Sequence, residues 1–415
     1  MKMAKSKVKQ RKDNKGRVLQ KGESQRKLDG IYIYTYVDPY GKRCYAYSKD
    51  LFTLREKEQD LMRAQMDGLD YYVGGHATIN MAFDRYMSTK YNLRATTRSN
   101  YIYMFDRFVR EEFGNWLLTD VKYTDVKLFY YHLLNDKNIA INTLDTIHTV
   151  LHPIFDMAVR DDIIRKNPTD GVMAELKRNS GKNKGIRHAL TVEQQKAFID
   201  AVKTFPEYYH WYPLFATLLG TGMRIGECTG LTWKDVDFKK RSISVNHSAT
   251  YYTRNGTACF GISAPKTEAG IRHIPMIYTV YDALKNEYDR QKREGFCTYE
   301  LDGYSGFVFS NKLDSLHNPH CVNLAIKRIY EAYNAKEIID AKREHREPVI
   351  IPHFSCHTLR HTFCSRLCES DMNMKVIQEI MGHKNIETTL DIYTEVNFNK
   401  KQESLEELAQ KMDFF

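Results

Sequence analysis

The sequence predicts a multidomain α+β chain: a small N-terminal β-sheet with one helix, an all-helical bundle, and a mixed, mainly helical C-terminal domain with a small antiparallel sheet. Three observations predict it. Residues 30–47 alternate apolar and polar with period two about a central turn. From Ile79 to about Asp170, apolar residues recur every three or four positions in four successive runs. From Ala189 onward, helical runs alternate with short strand-like runs. A chain of 415 residues exceeds what one core usually serves, and 42% apolar residues are enough to build several.

Residues 1–27 carry Lys2, Lys5, Lys7, Lys9, Arg11, Lys12, Lys15 and Arg17 with few apolar residues, and read as a basic flexible arm. Residues 28–72 form the sheet-and-helix module. Residues 30–37 (GIYIYTYV) and 42–47 (KRCYAY) flank a Pro39-Tyr40-Gly41 turn as a β-hairpin, and residues 51–66 follow at helical spacing. Tyrosines and basic residues on such a sheet suit DNA docking, and a plain core sheet would carry the same tyrosines. Both readings stand.

The bundle spans residues 76–175, with helices expected over 79–90, 96–113, 124–135 and 141–159 and a stop at Asn167-Pro168. Residues 176–188 are polar, basic and glycine-containing, as a linker should be. The last domain, 189–415, opens with Thr191 as a helix cap for 192–203 and a second apolar helix over 209–219. Short strands are expected over 242–245, 260–263 and 272–275.

Lys and Arg total 62 against 52 acidic residues, a net charge of +10 that suits a polyanionic partner. No stretch approaches the roughly 18 consecutive apolar residues of a membrane span, so no membrane association and a cytoplasmic location are expected. Eight cysteines contain no Cys-x-x-Cys pair, which disfavours a zinc ribbon or a disulfide framework. His357, His361, Cys364 and Cys368 have the chemistry of zinc ligands, but on one helix their stripe covers about three turns, too long to close a tetrahedral site. Neither a metal nor a cofactor is expected.

Four local patterns in the last domain carry chemistry. In TGMRIGE, residues 221–227, a Thr-Gly turn ends one helix, Arg224 starts the next, and Glu227 stands three residues on, within reach of the guanidinium. In PKTEAG, residues 265–270, Lys266 sits beside a turn between two strands. HTLRHTF, residues 357–363, sets His357 and Arg360 on one helical face. MGHKNIETTLDIYTEV, residues 381–396, delivers His383 after a glycine and Tyr393 ten residues later. Each alone has a bland reading as a salt bridge, a solvated lysine or a core residue.

Together, in this order and spacing, the four patterns resemble the signature set of the tyrosine recombinases, and the whole chain is similar to the three-domain integrases of conjugative transposons and lambda-type phages. The resemblance implies an active site of Arg224, Lys266, His357, Arg360, His383 and Tyr393, with Glu227 in support. It implies an arm-type DNA-binding module at 28–72, a SAM-like core-binding bundle at 76–175 and a catalytic domain at 189–415. It further implies a homo-tetramer on double-stranded DNA with core and arm-type sites, an excisionase, a host DNA-bending protein, and a bacterial cytoplasm. Lys266 is the least determined, because Lys239, Lys240 and Arg272 lie nearby.

The chemistry accounts for the residue types. In-line attack on a phosphodiester builds charge on the phosphoryl oxygens, and guanidinium forks are well suited to meet it. A phenol with a pKa near 10 is only about 0.1% ionised at neutral pH, so cations and a base must favour the phenolate. His357 is the candidate base, and His383 the candidate phosphate holder. The resemblance implies Lys266 as the acid for the leaving 5′-oxygen. A type IB topoisomerase would use the same chemistry, and a DNA-binding regulator the same modules. The tail over 402–412 sets Leu405, Leu408, Ala409 and Met412 on one face, which would pack on its own subunit or on another. The resemblance implies contact with a neighbouring subunit, which speaks against a monomeric topoisomerase.

Overall fold

The computed structural model describes residues 11–37, 43–66, 77–180, 189–254, 256–265, 267–370, 372–390 and 392. The chain forms two compact units, Met1–Asn183 and Lys184–Phe415.

In the first unit, β1 (Glu23–Gln25), β2 (Tyr32–Val37) and β3 (Arg43–Ser48) make an antiparallel sheet in the order β1-β2-β3, and α1 (Leu51–Met66) lies on one face. Leu51, Leu54 and Leu61, on one stripe of α1, pack on Tyr32 and Tyr34. The register sets Tyr45 opposite Thr35 and Tyr47 opposite Ile33, so these two tyrosines fall on the other face. There they stack on each other at 6.5 Å and stay about half exposed, 52% and 50%. The alternation divides the tyrosines: those of β2 build the core, and those of β3 face out.

The expected flexible arm is folded from residue 11 onward. Asp13 accepts hydrogen bonds from the Arg17 backbone and Nε and from the Tyr32 hydroxyl, while the buried Glu23 in β1 takes the Arg55 guanidinium at 2.8 Å. Two acidic residues inside a basic run anchor it to the sheet, an ion-pair device that apolar periodicity does not reveal. The hairpin turn at 39–41 lies outside the described residues.

The bundle comprises α2 (Ile79–Thr89), α3 (Ala95–Phe108), α4 (Tyr123–Asn135), α5 (Ile141–Arg160) and α6 (Val172–Ser180). Its core stacks Phe83 on Phe105 and Phe113 on Phe129, with Leu144, Ile147, Leu151 and Ile154 of α5 facing them. Helix α3 stops at Phe108 rather than 113. The chain also does not leave the bundle at Asn167-Pro168. Asn167 Oδ1 accepts from the Thr169 backbone and hydroxyl, a turn that restarts the helix as α6, whose Val172, Met173 and Leu176 enter the core. The linker expected from 176 therefore begins with helix. Its basic start is ion-paired, Lys177 with Asp145, and Lys127 of α4 reaches Glu175.

In the second unit, α7 (Val192–Thr204) is capped by Thr191, whose hydroxyl accepts from Gln194 N–H, and α8 (Tyr212–Thr221) is buried from Leu214 to Thr221. A short helix, α9 (Ile225–Thr229), leads to a sheet of β4 (Val236–Asp237), β5 (Ser242–Val245) and β8 (Arg272–Pro275) in the order β4-β5-β8. Residues 260–263 do not join that sheet. They end β7 (Thr257–Ser263), which pairs along its length with β6 (Ser248–Arg254) as a separate hairpin. The Asn255-Gly256 dipeptide is its sequence signal, and Gly256 has φ +77°. Helices α10 (Tyr278–Glu294), α11 (Pro319–Glu344), α12 (Cys356–Glu369) and α13 (Met374–Met381) complete the unit around Phe198, Phe215, Leu218, Leu284, Ile326 and Leu359. No described helix is long and apolar enough to cross a membrane.

Candidate active site

The end of α8 begins the site. Gly222 terminates the helix with φ +62°, and a Cβ there would come within 2.5 Å of the Phe363 ring, so this position requires glycine twice over. The turn frees the Gly222 carbonyl to accept from Arg360 Nη1 at 2.7 Å. Arg360 Nη2 donates to the Met381 carbonyl at the end of α13. One buried guanidinium on α12 thereby ties together two helix C-termini. Burial, then the charges of Arg224 and Arg272, push the Arg360 pKa down to about 9, which leaves it cationic at neutral pH.

Arg224 is the N-cap residue of α9, and its backbone N–H and Nη1 both donate to Glu227, at 2.9 and 2.8 Å. Glu227 also accepts from Arg272 Nη2 at 2.9 Å. Burial works to raise the Glu227 pKa, but hydrogen bonding and charge from Arg272, then Arg224, overrule it and hold the carboxyl below the usual range. Three guanidiniums against one carboxylate leave two positive charges in excess. Arg272 and Glu227 are almost wholly enclosed, whereas the Arg224 side chain is 46% exposed and turns its cation toward solvent.

His383 follows Gly382, whose φ of +63° ends α13. A Cβ at 382 would sit 2.9 Å from the Ala269 carbonyl and 3.1 Å from Arg272, so the turn after β7 abuts this corner. His383 is buried; its Nδ1 pairs with Thr389 Oγ1 at 2.9 Å, which leaves Nε2 to meet a ligand. Burial, then Arg360, Arg224, Arg272 and His361, push its pKa down to about 4, so the ring is neutral at pH 7. His357 is exposed on the first turn of α12, its ring edge-on to His361 at 5.0 Å. Cys364 and Cys368 further along α12 are buried with Ile377, Met381 and Ile392.

Arg224, Arg360, His383 and Glu227 are thus drawn together, through Gly222, Met381 and Arg272. Lys266 and Tyr393 lie outside the described residues. Their described neighbours do not: Pro265 lies beneath Gly270, and Ile392 is buried against α12 and α13. In the sequence, Arg272 stands out only as a neighbour of Lys266. Its integral place had a faint signal, an arginine at the start of a β-strand whose alternate residues, Arg272 and Ile274, point into the core.

A cation-lined corner at the junction of helix ends, on a mixed helical unit preceded by a helical bundle, is the arrangement of the enzymes that break and rejoin DNA through a tyrosine. Comparison with known proteins agrees. Residues 188–400 match the phage integrase family, and residues 7–65 match the DNA-binding domain of Tn916 integrase. The transposase from transposon Tn916 of Enterococcus faecalis and that from Tn1545 of Streptococcus pneumoniae are each 31% identical over 414 residues, covering 97% of both chains. A Tn1549 transposon integrase in complex with transposon right end DNA superposes with a TM-score of 0.67 at 29% identity, covering 80% of this chain and 100% of that one. The same integrase in complex with a circular intermediate DNA gives 0.68. A lambda integrase dimer, at 16% identity and a TM-score of 0.53, shares the fold.

The chain belongs to the phage integrase family and is a tyrosine recombinase of the conjugative-transposon type. It is a site-specific recombinase that integrates and excises a mobile element, and a topoisomerase role is not favoured.

Proposed function

We propose that Tyr393 is the nucleophile of this recombinase and that the guanidinium cluster around Glu227 is its phosphate site. The observation that carries this reading is the tying of Arg224, Arg360 and the segment that leads into His383 by hydrogen bonds across four separate stretches of chain. The Tyr393 oxygen attacks phosphorus in line, the bond to the 5′-oxygen breaks, and Lys266 supplies that oxygen's proton. Arg224, half-exposed, meets one non-bridging oxygen, and Arg360 holds the opposite side of the pocket positive. His383, neutral, donates to phosphate from Nε2. His357, at the surface of α12, takes the phenolic proton. The 3′-phosphotyrosyl bond retains the energy of the diester, and a second 5′-hydroxyl reseals it without ATP.

On this reading, residues 76–175 and 189–415 clamp the core site, and the N-terminal sheet holds arm-type DNA, with Tyr45, Tyr47 and Arg43 on or beside its open face. The recombinase acts as a homo-tetramer joined through the tail at 402–412, with an excisionase and a host DNA-bending protein as partners, in a bacterial cytoplasm. The test is a nicked core-site duplex mixed with protein and then denatured. A covalent adduct that Tyr393→Phe abolishes, with DNA affinity retained, is expected. An adduct of equal yield in the mutant removes Tyr393 from the role.

A further inference from the structure

The phosphate site as read above contains one guanidinium that no step of the chemistry uses. Arg272, the first residue of β8, has a side chain only 5% exposed, and each of its nitrogens is engaged. Nε donates to the Ile380 carbonyl at 2.7 Å, Nη1 to the Gly270 carbonyl at 3.2 Å, and Nη2 to Glu227 at 2.9 Å, with Nη1 also 3.4 Å from that carboxylate. The residue therefore has little donor capacity left for phosphate. What it joins is informative. Glu227 grips Arg224; Ile380 lies two residues before Gly382 and three before His383; Gly270 closes the turn four residues after Lys266.

We propose that Arg272 is a positioning residue for strand cleavage, which fixes Arg224 through Glu227 and fixes the His383 corner through the Ile380 carbonyl, without touching the DNA. This inference rests on the phosphate site proposed above. Its physical basis is that a buried carboxylate stays ionised only while cations surround it. Arg224 is half in water, so Arg272 is the enclosed counter-charge. The groups that face Glu227 are Arg224 on its own helix, Arg272 from β8 and Arg360 from α12; His383, next to α13, completes the cluster. With Arg272 gone, Glu227 would retain one side-chain hydrogen-bond partner, the solvent-exposed Arg224, its carboxyl would protonate more readily, and a neutral Glu227 would hold Arg224 loosely.

The experiment measures single-turnover adduct formation on the nicked core duplex between pH 5.5 and 8.5, with full-length wild type, Arg272→Ala, Arg272→Lys, Glu227→Gln and the double variant. Uncleaved-DNA affinity is measured in the same buffers. Arg272→Ala should cleave roughly a hundredfold more slowly at neutral pH, the scale for about an ångström of misplacement. Affinity should change less than threefold, and the rate should acquire an acid limb absent from wild type. Glu227→Gln should slow cleavage without that limb, and the double variant should be no slower than the slower single one. Arg272→Lys keeps the charge and serves if the alanine variant fails to fold. It should restore the wild-type pH profile while cleaving about tenfold slower, because one ammonium cannot span three acceptors.

Two results would overturn the proposal. One is wild-type cleavage rates in every folded Arg272 variant. The other is a loss of DNA affinity with a reduced salt dependence, the mark of a direct phosphate contact. Either could occur while wild type still forms an adduct that Tyr393→Phe abolishes. Failure of this inference is thus distinct from failure of the phosphate-site reading, in which wild type itself would give no Tyr393-dependent adduct.

Discussion

Arg224 and Arg360 do different work although both are arginines of one pocket. Arg224 is held by a carboxylate and open to solvent, whereas Arg360 is enclosed and held by two backbone carbonyls. Replacing either with alanine should slow adduct formation by roughly two to three powers of ten, the cost of one oriented donor. Arg360→Ala should also lower the melting temperature, since it unties two helix ends, while Arg224→Ala should not. Near-normal adduct rates in both would reject the assignment. A pH effect follows from His383, whose pKa falls from an ordinary 6.5 to about 4 on folding. Between those values the unfolded chain binds the extra proton, so stability drops as pH falls from about 6.5 towards 4, by up to about 1.4 kcal/mol per unit for one such group. His317 in the same unit is also pushed down to about 4 by burial, so the measurement is the difference in melting between wild type and His383→Gln across that range. The difference should shrink on acidification; a constant difference would contradict a neutral buried ring. Most of these residues were legible in the sequence because their spacing is chemical. Arg272 was not, because its partners at 227 and 380 are distant in sequence and only folding joins them.

Elements with a strong period were equally legible: α7 with its Thr191 cap, β5, β8 and α2, α4 and α5 of the bundle stand where alternation or 3.6-residue spacing set them. What escaped was structure held by polar contacts. The segment from Asp13 to Glu23 is ordered by two buried carboxylates and α6 by an asparagine turn, while the β6–β7 hairpin lies in a half-polar run whose sequence signal is an Asn-Gly dipeptide. These carry little apolar signal. The N-terminal sheet illustrates the functional side of the point. One face is spent on Leu51, Leu54 and Leu61, and the other displays stacked tyrosines among basic residues. Deleting residues 1–72 should leave cleavage of a nicked core duplex nearly intact and cripple recombination between full attachment sites, since only the second task needs DNA held at a distance. The isolated module should bind DNA with an affinity that falls steeply with salt. Equal loss of both activities on truncation, or no salt-sensitive binding, would reassign the module to folding or protein contact.

At the level of the whole molecule, the proposed chemistry draws its charge from side chains. The excess of two positive charges at the pocket is met by no resident ion in the proposed chemistry, so EDTA should leave adduct formation on nicked DNA unchanged. A chelator-sensitive first step would instead indicate a metal nuclease. The pocket also has a consequence for biosynthesis. Its ties join residues 138 apart, Arg360 to Gly222, and 108 apart, Arg272 to Ile380. A ribosome adding about 5–20 residues per second makes Arg224 well before it makes Met381. Until α13 emerges and accepts Arg360 and Arg272, Arg224 and Glu227 stand on a helix end with no opposite wall. If the bundle grips DNA as proposed, a nascent or prematurely terminated chain can therefore hold DNA and still be unable to nick the genome that encodes it.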